Sequence, residues 1–250
     1  MYITLGNLHD YNRSTVDQIQ LVLLCKEKYF KYFGSEKVFK KLVEDIHELE
    51  TIGIYISPHR ALLGVAFILG DNLNSHAIGE FEQNFSTSEY LCRYCLLQRR
   101  VFKGSILLEQ AEERSRKGYE QCIEYLKVND ICSNLGVQFD SPFNTLKSFH
   151  LCGPGLLPFL AHDLFEGAVS YHVHIFLMYL IKRKKWFSID LLSKRITDCK
   201  YRGRDSLDKP AKVKGSPTEK LSGHAIQNWN FLKLLPLIIA DKIQDINDQV

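Results

Sequence analysis

Four groups of residues in this chain have types and spacings that could do chemistry. Asp71 follows an apolar run, 61–69, that stops at Gly70. A carboxylate at the end of a buried strand is held where the backbone leaves a sheet, and hard divalent ions such as magnesium take oxygen ligands of that kind. Two such ions can activate water and stabilise a leaving oxygen in phosphodiester chemistry. An Asp in this place also reads as a turn residue or helix cap, and spacing alone favours that simpler role. Cys92 and Cys95 form a Cys-x-x-Cys. Two thiolates at this spacing reach one zinc ion, which needs four ligands to close a structural site. Candidates for the remainder are His162, His150 and Cys152; the alternative is a pair of free thiols. His162, Asp163 and Glu166 come together at a helix start. On a helix His162 and Glu166 share a face, as metal ligands or as an acid–base pair. The simpler reading is acids that suit the positive end of the helix dipole.

The fourth group is cationic. The window 182–214 holds twelve Lys and Arg against four Asp, a surplus of +8, with Trp186, Phe187 and Tyr201 interleaved. Lys182, Arg183, Lys184, Lys185, Lys200, Arg202 and Arg204 are the candidate contacts to a phosphate backbone. A solvated helix–loop face is the competing reading. His172 and His174 flank an apolar face and read as core or surface histidines.

These groups need elements to position them. Residues 2–5, 19–25, 54–56 and 61–69 read as strands, the last fully buried. Val38, Phe39, Leu42, Val43, Ile46 and Leu49 recur at three- and four-residue steps, which predicts a helix over 35–50 capped by Ser35 and stopped by Gly53. Helices are also expected over 106–126, from Leu160 to Ile181, over 188–199 and over 225–243, the last bent at Pro236. Irregular chain is expected over 72–100, 129–150 and 201–221.

The 250 residues are 45% hydrophobic and 24% charged, enough to bury a core and unlike a disordered chain. A net charge of +3 does not by itself demand a nucleic acid, so the distribution of charge matters more. Seven irregularly spaced cysteines are not a disulfide framework and suggest a reducing compartment, nucleus or cytoplasm. The N-terminus lacks a secretory pattern, so the protein is not expected to be secreted. The apolar stretch 173–181 is short for a membrane span and is flanked by His172 and His174.

The order TLGNL, IQLVLLCK, LVEDIHELETIGI, ILGDNLNSHAIGEF, CRYC, FNTLKSFH, PGLLPFLAHDLFEG and LSGHAIQNWNFLKLLP resembles the middle of the CACTA (En/Spm)-like DDE transposases and transposase-derived proteins. The resemblance implies an α/β fold: a partial RNase H-like core, a mixed sheet with flanking helices, in residues 1–75. It also implies a helical, zinc-clip-type insertion in 76–165 and a helical region with the basic segment in 166–250. Asp71 would match the second of three acidic metal ligands, with Mg2+ in the intact enzyme. Cys92, Cys95 and His162 would match the zinc positions, although Phe159 stands where the family has Cys or Asp. The first Asp would precede Met1 and the Glu would follow Val250, so the resemblance implies an internal fragment, catalytically incomplete as given. DNA is the implied partner, with a homo-oligomer in the full-length protein. The alternative is a non-catalytic DNA- or protein-binding module that keeps the scaffold.

Overall fold

A computed structural model describes residues 1–13, 15–104, 111–129, 135–215 and 220–244. The protein is helix-rich with small sheets, a mixed α and β chain. It divides into two compact units, Met1–Leu157 and Pro158–Val250.

The first unit opens with β1 (Tyr2–Ile3), the short helix α1 (Asp10–Arg13) and β2 (Gln20–Leu21). β1 and β2 pair antiparallel, Tyr2 opposite Leu21. Then come α2 (Glu27–Thr51), β3 (Ile54–Ile56) and β4 (His59–Ala61), the last two forming a second antiparallel ribbon. The short helices α3 (Asn72–Ile78) and α4 (Arg99–Gly104) precede α5 (Arg116–Asn129).

The apolar stripe expected on 35–50 packs as predicted. Phe39 and Ile46 are buried, and Leu42 and Val43 pack beside them. The helix extends further toward the N-terminus than the stripe, to Glu27, through a break at Gly34 (φ 77°, ψ 166°). That positive φ suits glycine, which carries no Cβ to clash. Gly53 ends the element at φ 74°, where a Cβ would lie 2.2 Å from the Ala61 carbonyl oxygen. Glu50 ties α2 to the chain beyond it by accepting the Lys147 and Ser148 amides at 2.9 and 3.0 Å. The core is completed by Ile68, Phe81, Tyr119, Ile123, Val137, Phe143, Phe149 and Leu156.

Two expected strands are corrected. Residues 19–25 are not a buried strand: β2 is two residues long and Leu24 is 84% exposed. In the run 61–69, Ala61 ends β4 opposite Ile54 and Ile68 bridges Leu156 in parallel, while Leu62, Phe67 and Leu69 face outward. Apolar composition gives a segment strand character; only partner strands make it a sheet, and the described residues hold two two-stranded ribbons. The helix expected over 106–126 begins at Arg116. Residues 111–115 are instead extended, with Glu113 bridging Cys95, and 105–110 lie outside the described residues.

The second unit is helical. A run from Leu160 to Arg183 contains π-type turns around α6 (Val169–Met178), followed by α7 (Ile189–Asp198) and α8 (Ala225–Ile239). Ser188 caps α7 by accepting the Leu191 amide at 3.1 Å, and Pro236 lies inside α8. Val173, Leu177, Leu180, Leu192, Ile196, Phe231 and Leu235 form its core. By length and composition the run Leu160–Arg183 could cross a membrane. Its backbone departs from helical geometry at Gly167; Val173, Leu177, Met178 and Leu180 within it are buried in the core of this unit, while Leu160, Tyr171 and Ile175 are exposed.

Candidate functional site

In the first unit Asp71 is the N-cap of α3. Its Oδ1 accepts the Asn74 amide at 2.7 Å, and its own carbonyl accepts the Ser75 amide at 2.9 Å. The expected placement at the tip of a central-sheet strand is therefore corrected. A short carboxylate between an extended segment and a helix meets the unsatisfied amides of the first turn, and that local contact forms without any sheet.

Cys92 and Cys95 neighbour one another, and the Cys92 sulfur accepts the Tyr94 amide at 3.3 Å. Burial pushes the Cys95 thiol up, and the neighbouring Cys92 adds to it. Burial likewise raises Cys122, and lifts Cys152 to about 11. A thiol must lose its proton both to act as a nucleophile and to bind a metal, so the raised values mark buried, packed thiols and favour neither chemistry. Among the described residues no three His, Cys, Asp or Glu side chains gather as a metal-holding group. A tetrahedral zinc would need two further ligands beside this pair. His150 points its Nδ1 at the Cys152 amide, 3.1 Å away, and packs edge-on against Tyr119.

Arginines hold this region, a feature that sequence reasoning missed. Arg114 is buried beneath the Phe81 ring, donating from Nε to the Cys92 carbonyl at 2.9 Å and from Nη2 to the Leu135 carbonyl at 2.6 Å. Arg93 donates to Asn72 Oδ1 and to the Tyr94 hydroxyl, and Arg99 donates to the Ser88 and Phe85 carbonyls. A buried guanidinium matched to carbonyl oxygens ties loops together much as a small core would.

In the second unit His162 and Glu166 meet as the helical spacing predicts, Nδ1 to Oε2 at 2.8 Å. Glu166 Oε1 accepts the Ala225 amide at 3.0 Å, so this carboxylate sits at the N-terminus of α8. Burial pushes the Glu166 carboxyl up, but the Ala225 amide and His162 outweigh it and leave the group below its ordinary value. Asp163 accepts the Phe159 amide at 2.9 Å, which supports its reading as a helix-start acid. His172 is exposed and bonds the Ala168 carbonyl, whereas His174 is buried in the core.

The cationic candidates also belong to this unit. Lys182 donates to the Gly215 carbonyl at 2.7 Å, and Lys184 lies near the Tyr179 and Trp186 rings. Arg183, Lys185, Lys200, Arg202 and Arg204 are exposed. Two of the four acids in the window face other partners: Asp205 is bound by Lys233 at 2.7 Å, and Asp208 lies 3.9 Å from His224. Asp205, next to Arg204 in sequence, is thus engaged by a lysine of α8. Comparison with known proteins finds no matching family model, curated protein or solved structure.

Proposed function

We propose that the chain is a transposase-derived module that binds the DNA backbone through Arg183, Lys185, Lys200, Arg202 and Arg204 of its cationic segment and does not itself cut the strand. The observation that carries this reading is the exposed set Arg183, Lys185, Lys200, Arg202 and Arg204, whose local acid Asp205 is turned to Lys233. Such a surface attracts phosphate oxygens and releases counterions from DNA. The engagement of Asp71 as a helix cap favours the non-catalytic form over an intact strand-transfer enzyme.

On this reading residues 1–75 derive from an RNase H-like core, with Asp71 at the position of a magnesium ligand. Residues 76–165 derive from the zinc-clip insertion, where Cys92 and Cys95 supply two thiolates and His162 stands at the later ligand position. The protein acts in the nucleus, and any homo-oligomer belongs to a longer parent protein.

Fluorescence anisotropy against a labelled duplex across a salt series tests the binding claim. Log affinity is expected to fall linearly with log salt, and replacing Lys200, Arg202 and Arg204 by Ala to flatten the slope by about one for each phosphate no longer neutralised. Salt-insensitive binding, or a slope unchanged in the triple variant, overturns the assignment.

A further inference from the structure

A cleft of about 590 Å3 opens in the second unit, lined by Glu166, Tyr171, Lys214, Lys220, Ser222 and His224 among others. Of these only Lys214 belongs to the cationic window, and it lies outside the seven candidate backbone contacts named from it. The volume falls within the roughly 300–1,000 Å3 typical of small-ligand sites. Lys214 is exposed, with no ion pair among the described residues. The Lys220 ammonium lies 5.7 Å from the Tyr171 ring centroid and donates to the Glu166 carbonyl at 3.2 Å. The one carboxylate in this set, Glu166, is directed at the Ala225 amide and His162. The remaining lining groups are two ammonium donors, a hydroxyl and an imidazole beside a half-exposed aromatic ring.

We infer that this cleft seats one nucleotide of a single strand, its phosphate held by Lys214, Lys220 and Ser222 and its base against Tyr171. Lysine ammonium groups and a hydroxyl match phosphate oxygens, and a tyrosine face accepts any base by stacking. A concavity of this size admits a nucleotide and excludes the rigid cylinder of a duplex. The inference rests on the DNA-binding reading above and deepens it, because it assigns single-strand contact to a place distinct from the duplex-facing cations.

The test measures anisotropy of the full chain with a short labelled oligothymidylate, the matching abasic strand and a labelled duplex. The Lys214→Ala/Lys220→Ala variant is expected to weaken oligothymidylate binding about tenfold and to lower its salt slope by about 1.4, two phosphates at roughly 0.7 each. Duplex binding is expected to stay within about twofold, because those phosphates are neutralised by the other segment. Wild-type protein, whatever the folding of the variant, is expected to bind the abasic strand at least about fivefold more weakly, since the stacking face loses its base. Equal binding of abasic and base-bearing strands overturns the cleft, as does an equal loss on single strand and duplex. Binding of duplex without oligothymidylate sinks the cleft alone; binding of neither sinks the DNA-binding reading itself.

Discussion

Asp71 holds the first turn of α3 closed through the Asn74 amide. Removing that acceptor leaves an amide without its partner, so Asp71→Ala is expected to cost about 0.5–2 kcal/mol in urea unfolding, with Asp71→Asn or Asp71→Ser recovering most of it. Equal stability of the Ala and Asn variants would show that the cap contributes nothing. Glu166 has a different signature, because its charge is favoured by the folded state. Its folded pKa lies below the ordinary value of 4.5. Its contribution to stability is therefore complete above that ordinary value and drains away as pH falls through the lowered folded one. Glu166→Gln removes the titrating group, so the fall in melting temperature below pH about 4.5 is expected to be shallower than in the wild type. An unchanged acid limb would assign that loss to other carboxylates.

At the scale of elements, the segment from Cys92 to Arg114 shows two ways to fix a poorly cored loop. Buried guanidinium groups bind carbonyl oxygens there, and the Cys92–Cys95 pair offers two zinc ligands beside them. If the thiols hold zinc, purified protein carries the metal, and Cys92→Ser loses it together with several degrees of melting temperature. Metal-free wild-type protein with an unchanged melting point in Cys92→Ser would leave the arginines as the whole account. These arginines were illegible in the sequence, because an Arg in a polar stretch reads as solvent charge until the carbonyls around it are placed. The stripe from Val38 to Leu49 was legible for the opposite reason: a helix's period is local and needs no partner to be recognised. The same holds for α7, where Ser188 precedes an amphipathic run. The run 61–69 failed as a buried strand because pairing depends on where other strands lie. Ahead of α5, the charged residues Glu112 to Arg114 carry no mark of the loop around Cys95, which recruits Glu113 into a bridge and which the sequence pattern could not show. Of the candidate site, the His162–Glu166 pair was readable from its four-residue spacing. The Glu166 link to Ala225 spans 59 positions and was not.

Across the whole molecule the charge is partitioned rather than high. The window 182–214 carries +8 while the chain carries +3, so the remaining residues together carry −5. A polyanion approaching such a molecule is drawn to one segment and repelled elsewhere, which orients it before any close contact forms. Orientation is not cleavage. Two-metal phosphodiester chemistry needs carboxylates converging on paired ions. Asp71 is instead engaged at a helix start. On the non-catalytic reading proposed above, the chain is expected to retard DNA in a gel equally in chelator and in magnesium, leaving the strand lengths unchanged on a denaturing gel. Magnesium-dependent nicks that disappear in Asp71→Asn would restore a catalytic role to that carboxylate. Nicks that persist in that variant would point to a contaminating nuclease and leave the non-catalytic reading standing.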